Sequence, residues 1–433
     1  VSQNILAMIG LSLYILADTY FISKAVGANG ITALNMALPV YGVIFALGQM
    51  VGVGSAIRYS IVKEQYRNSN KDGSNECDKY FSGALFWGLV IGVIFAVLGL
   101  LFPDKIVEIM GGDETIVAIG VPYFRIFMSF SPFFIFNYTC NAFVRNDGNP
   151  SVSMAATLIS SLFNIVFDYI LMFPLGMGMP GAALATALSP VVGVMICMIH
   201  FLSKKNTVKF KWFKTSLTRL FHCCQVGMSA FVGEMSGAVI VMVFNFIILR
   251  LTGNIGVAAY GVVANTALVA VAVFNGVALG SQPLISESYG KHNIKDIKLI
   301  EKLGVATALG LAVIIVIMIW GFTDTIVGVF NSQGSDRLLS LARVGLRIYF
   351  IGFLFAGINI FCSSALSAIA SVKWAFVLSI LKGFVVVNVC AAILAPIFGM
   401  NGVWVAFPLS EFILLIISGF AMKKSIGALE SER

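Results

Sequence analysis

Asp18, Asn164, Asp168, Thr186, Glu234, Lys382 and Glu411 stand out in this sequence because long apolar runs surround them. Carrying an ionised side chain to the middle of a bilayer costs ~2.5 to 3.5 kcal/mol even on lenient scales, so each such charge needs a reason. Asn164 and Asp168 are one helical turn apart and would project from the same face. With ~1.5 Å of rise per residue, Asp18 lies roughly 9 Å in from the outer end of its run, Asp168 roughly 8 Å and Thr186 roughly 10 Å in from theirs. Two carboxylates, an amide oxygen and a hydroxyl at one depth make an all-oxygen set. Such a set suits a hard cation such as Na⁺, or a proton shared between acids.

The remaining charges lie elsewhere. Lys382 falls about 14 Å from the inner end of its run, and Glu234 and Glu411 each about 18 Å from theirs. An unpaired lysine at that depth would tend to lose its proton. A Lys382 to Glu411 ion pair linking two helices is therefore expected, with a direct chemical role as the alternative. Arg125 and Arg347 are each two turns inside their runs and are expected to share a structural role.

The elements that must position these groups are membrane helices. Of 433 residues, 59% are hydrophobic and 11% charged, well below the roughly 25% charged residues of soluble domains. The expected fold is all-α and integral to the membrane, with twelve transmembrane helices at about 3 to 24, 31 to 58, 80 to 103, 117 to 143, 151 to 174, 179 to 203, 222 to 250, 256 to 286, 303 to 330, 339 to 369, 374 to 397 and 402 to 422. Each can cross ~30 Å of hydrocarbon, and the alternating strands of a membrane barrel are missing from the sequence pattern. The apolar run at Val1 reads as a first span, because no basic leader or small-residue cleavage site precedes it.

Lysine and arginine crowd into alternate loops. Arg58, Lys63, Arg67, Lys71 and Lys79 follow span 2; Arg145 follows span 4; Lys204, Lys205, Lys209, Lys211, Lys214 and Arg219 follow span 6. Lys291, Lys295, Lys298 and Lys302 follow span 8, Lys373 follows span 10, and Lys423, Lys424 and Arg433 form the tail. The positive-inside rule then places both termini in the cytoplasm and reads the net charge of +8 as topology, with no nucleic-acid partner. The seven cysteines form no CxxC or Cys/His cluster. His200, His222 and His292 sit apart at cytoplasmic ends, so neither a metal site nor an enzyme is expected.

The two halves repeat one another. Gly27, Gly30, Ala33, Gly54, Ser55 and Ser60 correspond to Gly253, Gly256, Ala259, Gly280, Ser281 and Ser286. Arg125, Asn137, Cys140 and Pro174 correspond to Arg347, Asn359, Cys362 and Pro396, and the GMPG from Gly178 to Gly181 corresponds to the GMNG from Gly399 to Gly402. Six spans per half is an even number, so the repeats are parallel. The expected organisation is an N-terminal six-helix lobe over 1–203, a basic cytoplasmic linker over 204–220, and a C-terminal six-helix lobe over 221–433. The linker reads as a positive-inside connector with an amphipathic stretch at the lipid surface, with a regulatory lipid site as the lesser reading. Asn164 and Asp168 align with Val386 and Cys390, so the repeat itself does not need the acid. Paired bundles without a nucleotide-binding glycine loop favour a secondary transporter driven by an ion gradient.

Taken together, NILAMIGLSLYILADTYFISKAVGANGITALNMALP, GVGSA, NIVFDYILMFPLGMGMPGAALAT and LTGNIGVAAYGVVANT with ALGSQPLIS resemble the multidrug and toxic compound extrusion (MATE) family, and within it the bacterial DinF and MepA-like branch. The resemblance covers nearly the whole chain. It implies a multi-pass plasma-membrane antiporter that exports lipophilic, mostly cationic organic compounds in exchange for H⁺ or Na⁺, with no other cofactor and acting as a monomer. It assigns Asp18, Asn164, Asp168 and Thr186 to the cation site, and Tyr14 and Asn141 to substrate binding. Glu234 resembles a seventh-helix acid of another branch, while span 10 lacks the acid that accompanies it there. A flippase for lipid-linked oligosaccharide precursors is the alternative, disfavoured because the only bases on spans 1, 2, 7 and 8, Lys24, Arg58 and Arg250, lie near span ends.

Overall fold

The computed structural model describes residues 2–69, 74–110, 114–213, 216–330 and 335–431. Val1, Lys71, Lys214 and Arg433, which entered the topology reading, lie outside the described residues. Those residues are helical with no strand among them, as a chain of apolar runs must be if every backbone amide is to be satisfied inside lipid.

Twelve spans emerge among the described residues once a bent pair is joined, a long helix is divided and the first helix is counted. Nine helices, counted by length and hydropathy alone, qualify as membrane-crossing segments, and a tenth forms from Glu114–Ser129 and Ser131–Asn146, bent by 46°. Pro132 stands at that elbow and removes a donor from the ladder. The single helix Val372–Ser431 holds two spans, because Gly399 breaks it at φ 56° and ψ −136°. The first span is Ser2–Ala25. The remaining spans are Ala28–Asn68, Ser74–Leu101, Pro150–Met172, Gly178–Phe201, Leu217–Gly253, Ile255–Gly290, Ile294–Gly321 and Asp336–Ala368.

The repeat is written in the backbone. Gly27 opens span 2 at φ 81° and ψ −156°, and its counterpart Gly253 separates spans 7 and 8 at φ 67° and ψ −158°. Gly178, between spans 5 and 6, has φ 55°, and its counterpart Gly399 has φ 56°. These turns need a positive φ, which glycine adopts without the Cβ penalty of other residues. Each half therefore reverses direction at a positive-φ glycine in the same two places, with Gly176, at φ 63°, adding a second to the turn between spans 5 and 6.

The chain divides into two compact units, Ser2–Glu234 and Met235–Arg433. In the first, span 5 packs along spans 6 and 1, and span 2 packs along spans 3 and 4. Its core holds an aromatic stack: Tyr41 lies on Phe127 with centroids 3.6 Å apart, and its hydroxyl is 2.9 Å from that of Tyr123. In the second, the C-terminal part of span 10 packs along spans 9 and 12. There Tyr349 stacks on Phe407 at 4.1 Å, and Phe244, Tyr260 and Trp404 form a buried column.

Candidate functional site

Span 5 starts where Asn149 caps it, accepting from Val152 N at 3.4 Å, and Pro150 fills the first turn, where no donor is needed. From that start, the helical repeat carries Asn164 and Asp168 to one face, and both are fully buried at 0% exposure. Span 6 folds back through the glycine turn and sets Thr186, 5% exposed, against them. Asn164 Nδ2 donates to Thr186 Oγ1 at 3.3 Å. Asp18 of span 1, 7% exposed, completes the set, and its carboxyl lies within interaction range of Asp168.

The four residues expected at one depth are thus gathered in one place by spans 1, 5 and 6. Their hydrogen bonding is unusual. Asp18 Oδ1, Asn164 Oδ1 and both carboxyl oxygens of Asp168 are buried with no donor from another group among the described residues, while the two carboxyls themselves lie within hydrogen-bonding reach of one another. A buried acceptor left unpaired costs about 1 to 3 kcal/mol, and interiors satisfy nearly all such groups. Four oxygens clustered this way form a site whose chemistry calls for a positive charge: a proton bridging the acids, or a small hard cation. Arg125 is exposed, as is its counterpart Arg347, and neither forms an ion pair among the described residues, so no ion pair carries the shared structural role expected of the two.

Tyr14, half-buried one turn before Asp18, lies within electrostatic reach of Asp18, Asp168 and Glu234. Two aromatic neighbours were missed in the sequence: Tyr123 is within reach of both acids, and Tyr41 within reach of Asp18. A tyrosine in an apolar helix gives no spacing signal, so only the fold reveals them. Among the described residues, Asn141 forms none of its hydrogen bonds with this group. Its amide donates to Asn137 O and Oδ1, both at 2.9 Å, and its oxygen accepts from Ser153 Oγ at 3.1 Å. Its hydrogen-bonding capacity is largely taken up in clasping span 4 to span 5.

Of the other charges, Lys382 lies within electrostatic reach of Glu411 but does not form the expected ion pair with it. Glu234 belongs to the first compact unit, is exposed, and accepts from Gln49 Nε2 at 3.3 Å. Among the described residues no ion pair joins Lys382 to Glu411. Glu411, 3% exposed, is instead held by Asn359, whose Nδ2 donates to Glu411 Oε2 at 2.7 Å and to Glu411 O at 2.8 Å, while Ser418 Oγ donates to Asn359 Oδ1 at 2.8 Å. The amide offers the carboxylate a donor closer than the half-buried ammonium. Lys382 sits in a π-helical turn, Leu381–Val385, that interrupts span 11.

The basic end of the first unit carries a second polar cluster that sequence reasoning had passed over. Asp147, in the Asn146-Asp147-Gly148-Asn149 turn, accepts from Lys63 Nζ at 2.8 Å and Thr207 N at 2.9 Å, and also from the hydroxyls of Tyr59 and Thr207. His200 Nε2 lies 2.9 Å from its second oxygen, and Asn149 meets the other ring nitrogen at 3.2 Å. Burial alone would push the Asp147 carboxyl up. The donors from Lys63, Thr207 and Tyr59 overcome that and hold it below its ordinary value. The Asn-Asp-Gly-Asn turn itself was readable, and Gly148 within it takes a φ of 85°, but nothing in it announced the partners that meet on Asp147.

Against this geometry, comparison with known proteins is decisive at the family level. The MatE family profile matches residues 4–170 and, a second time, residues 230–397. The chain belongs to the MatE family. The double match is the internal repeat seen from outside: one family pattern recognises each half of this MatE chain. Among similar proteins, the multidrug export protein MepA of Staphylococcus aureus (strain MRSA252) is 27% identical over 398 residues, covering 90% of this chain and 85% of the relative. MepA of Staphylococcus saprophyticus is 24% identical over 396 residues, covering 90% and 85%. Among solved structures, the outward-facing conformation of a multidrug resistance MATE family transporter of the MOP superfamily superposes with a TM-score of 0.92 at 22% identity, covering 99% of this chain and 95% of that one. A MOP superfamily transporter from Pyrococcus furiosus, described with a binding pocket of reverse polarity, gives a TM-score of 0.90 at 22% identity over 99% and 95%. The twelve-helix fold of this MatE chain is that of the MATE transporters.

Proposed function

We propose that this MatE protein is a secondary active antiporter that exports lipophilic, mostly cationic organic compounds in exchange for H⁺ or Na⁺, with coupling at Asp18, Asn164, Asp168 and Thr186. The observation that carries the reading is the group of unpartnered buried oxygens on Asp18, Asn164 and Asp168. Their second-half counterparts include Val386 and Cys390 in place of Asn164 and Asp168, so the acids serve something other than the architecture. Multidrug export is what the names of the staphylococcal relatives state, and the match along the chain brings it here as the substrate class.

In this mechanism the coupling cation and the exported compound are mutually exclusive ligands of one set of acids. Protonating the Asp18 and Asp168 pair, or seating Na⁺ between them with Asn164 Oδ1, supplies the partner these oxygens lack. The same step removes the negative charge that would attract a cationic compound. Tyr14 borders the acids and offers a ring face to a cation. Asn141 is not assigned a direct contact, because its amide is already bonded. The bases the flippase alternative would need are poorly placed for it, since Lys24 and Arg250 are exposed at helix ends.

The test is efflux of a fluorescent lipophilic cation from proteoliposomes under separately imposed pH and Na⁺ gradients. One of the two gradients should drive export by the native protein, and the double variant Asp18→Asn with Asp168→Asn should lose it while remaining folded. Undiminished gradient-driven export by that variant would overturn the assignment.

A further inference from the structure

We propose that the basic end of the first unit holds a bound phospholipid with an anionic headgroup, its acyl chain in a cavity roofed by the linker between spans 6 and 7. The cavity encloses about 690 Å³, and its wall is mostly aromatic and aliphatic, with Leu85, Trp87, Val194 and Phe201 among its lining residues. It is bounded by the start of span 3, the end of span 6, residues 206–213 and the start of span 7, all within Ser2–Glu234.

The linker is fixed across it by backbone donors at every second residue. Thr207 N donates to Asp147 Oδ2 at 2.9 Å, Lys209 N to Asp78 Oδ1 at 2.7 Å and Lys211 N to Ser82 Oγ at 2.9 Å. Between them, Val208 turns inward at 1% exposure. Phe210 and Trp212 lie on the cavity rim yet remain 50% and 85% exposed, and Leu202 and Phe221 nearby are 81% and 61% exposed. An exposed Trp and Phe rim beside basic residues is what the headgroup level of a bilayer selects. The opening therefore faces lipid.

Charge identifies the lipid. Lys79, Lys209, Lys211 and Arg219 line the cavity, and Arg58 is close enough to interact with Tyr80 and Cys223 of its wall. The acids among them are Glu76, which pairs with Lys79 and with Arg219 at 3.6 Å, and Asp78, which pairs with Lys211 at 2.7 Å. Five bases face two acids. The Lys209 ammonium has no carboxylate partner among the described residues, and Arg58 Nε is buried with no hydrogen-bond partner among them. An anionic headgroup supplies both the charge and the acceptor oxygens that these donors lack. A zwitterionic lipid supplies no net charge.

The experiment is native mass spectrometry of the full-length protein released from vesicles of phosphatidylcholine containing phosphatidylglycerol. One phosphatidylglycerol should be retained in clear preference to phosphatidylcholine. The variant Arg58→Gln with Lys209→Gln, which leaves both acid pairs intact, should weaken that retention by about tenfold. Gly83, which lines the cavity and has open space where a Cβ would stand, offers a second route. Gly83→Phe should exclude the lipid with the charges untouched. Equal retention of the two lipids overturns the proposal, as does unchanged retention in both variants. Competition by inorganic phosphate alone, which would show an anion site without a lipid, also overturns it, as does finding a protein seated on this face instead.

Discussion

At the scale of single residues, stability and function pull Asp168 in opposite directions. Its two carboxyl oxygens are buried without donors from other groups among the described residues, beside Asp18 Oδ1, an arrangement that lowers stability and that the proposed coupling cation would relieve. Asp168→Asn places an amide donor next to Asp18 in nearly the same volume. The variant should unfold at a higher temperature in detergent, by a few degrees for about 1 kcal/mol gained, while losing coupled export. A lower melting temperature would mean the carboxyl is already satisfied in the folded protein. Asp147 is the opposite case, because its oxygens are surrounded by donors. A carboxyl held below its ordinary value contributes stability that is present at neutral pH and is lost as pH falls through the folded-state value, in the acid range below about 4. Asp147→Asn should therefore lower the melting temperature at pH 7 and flatten its fall in acid, measured by a thermal melt at successive pH values. Of these two sites the sequence disclosed only one. The four-residue spacing of Asn164 and Asp168 made a shared face certain once a helix was assumed. The Asp147 cluster joins residues from four separate stretches of chain, and no local pattern announces such a meeting.

Among elements, the connectors were more legible than the charges. A GMxG at the same point of both halves read directly as a repeated turn, and Gly178 and Gly399 do adopt the same left-handed φ. A side chain at that φ costs roughly 1 to 2 kcal/mol. No atom stands within 4 Å of a Cβ at Gly399, and at Gly178 the nearest is Val26 Cγ2 at 3.8 Å. Gly178→Ala and Gly399→Ala should thus each lower thermal stability by a similar amount, with no added steric penalty at either site. A loss several times larger in one half would show that its turn does more than reverse the chain. Span 11 was less readable. The π-helical turn at Leu381–Val385 shifts the facing of everything after it, so straight helical counting could not put Lys382 and Glu411 in the right relation. Asn359 took the carboxylate instead. That amide aligns with Asn137 in the first half, where it bonds Asn141, so the same repeat position serves two different helix clasps.

For the whole molecule, the number of crossings decides the topology, and the glycine breaks decide the number. Helix length alone gives nine crossings, or ten with the bent pair of span 4. Nine would put the termini on opposite sides of the membrane. Splitting Val372–Ser431 at Gly399 and counting Ser2–Ala25 give twelve, an even number that returns the C-terminus to the side of the N-terminus. From the concentration of lysine and arginine in alternate loops we propose that this side is cytoplasmic. This yields a concrete expectation for residues that length alone would bury in mid-membrane. Phe398 is 63% exposed next to the Gly399 break, and Leu175, 62% exposed, lies in the matching turn between spans 5 and 6. In a background with the seven native cysteines replaced, Leu175→Cys and Phe398→Cys should both react with a membrane-impermeant maleimide added to intact cells. Ser203→Cys and Ser431→Cys should react only after the cells are opened. Labelling of Leu175→Cys but not Phe398→Cys would mean that the 372–431 helix crosses once, and the parallel repeat would fail with it. Labelling of both from outside requires that the second half turn where the first half turns, because an apolar side chain at mid-membrane depth is out of reach of a charged reagent.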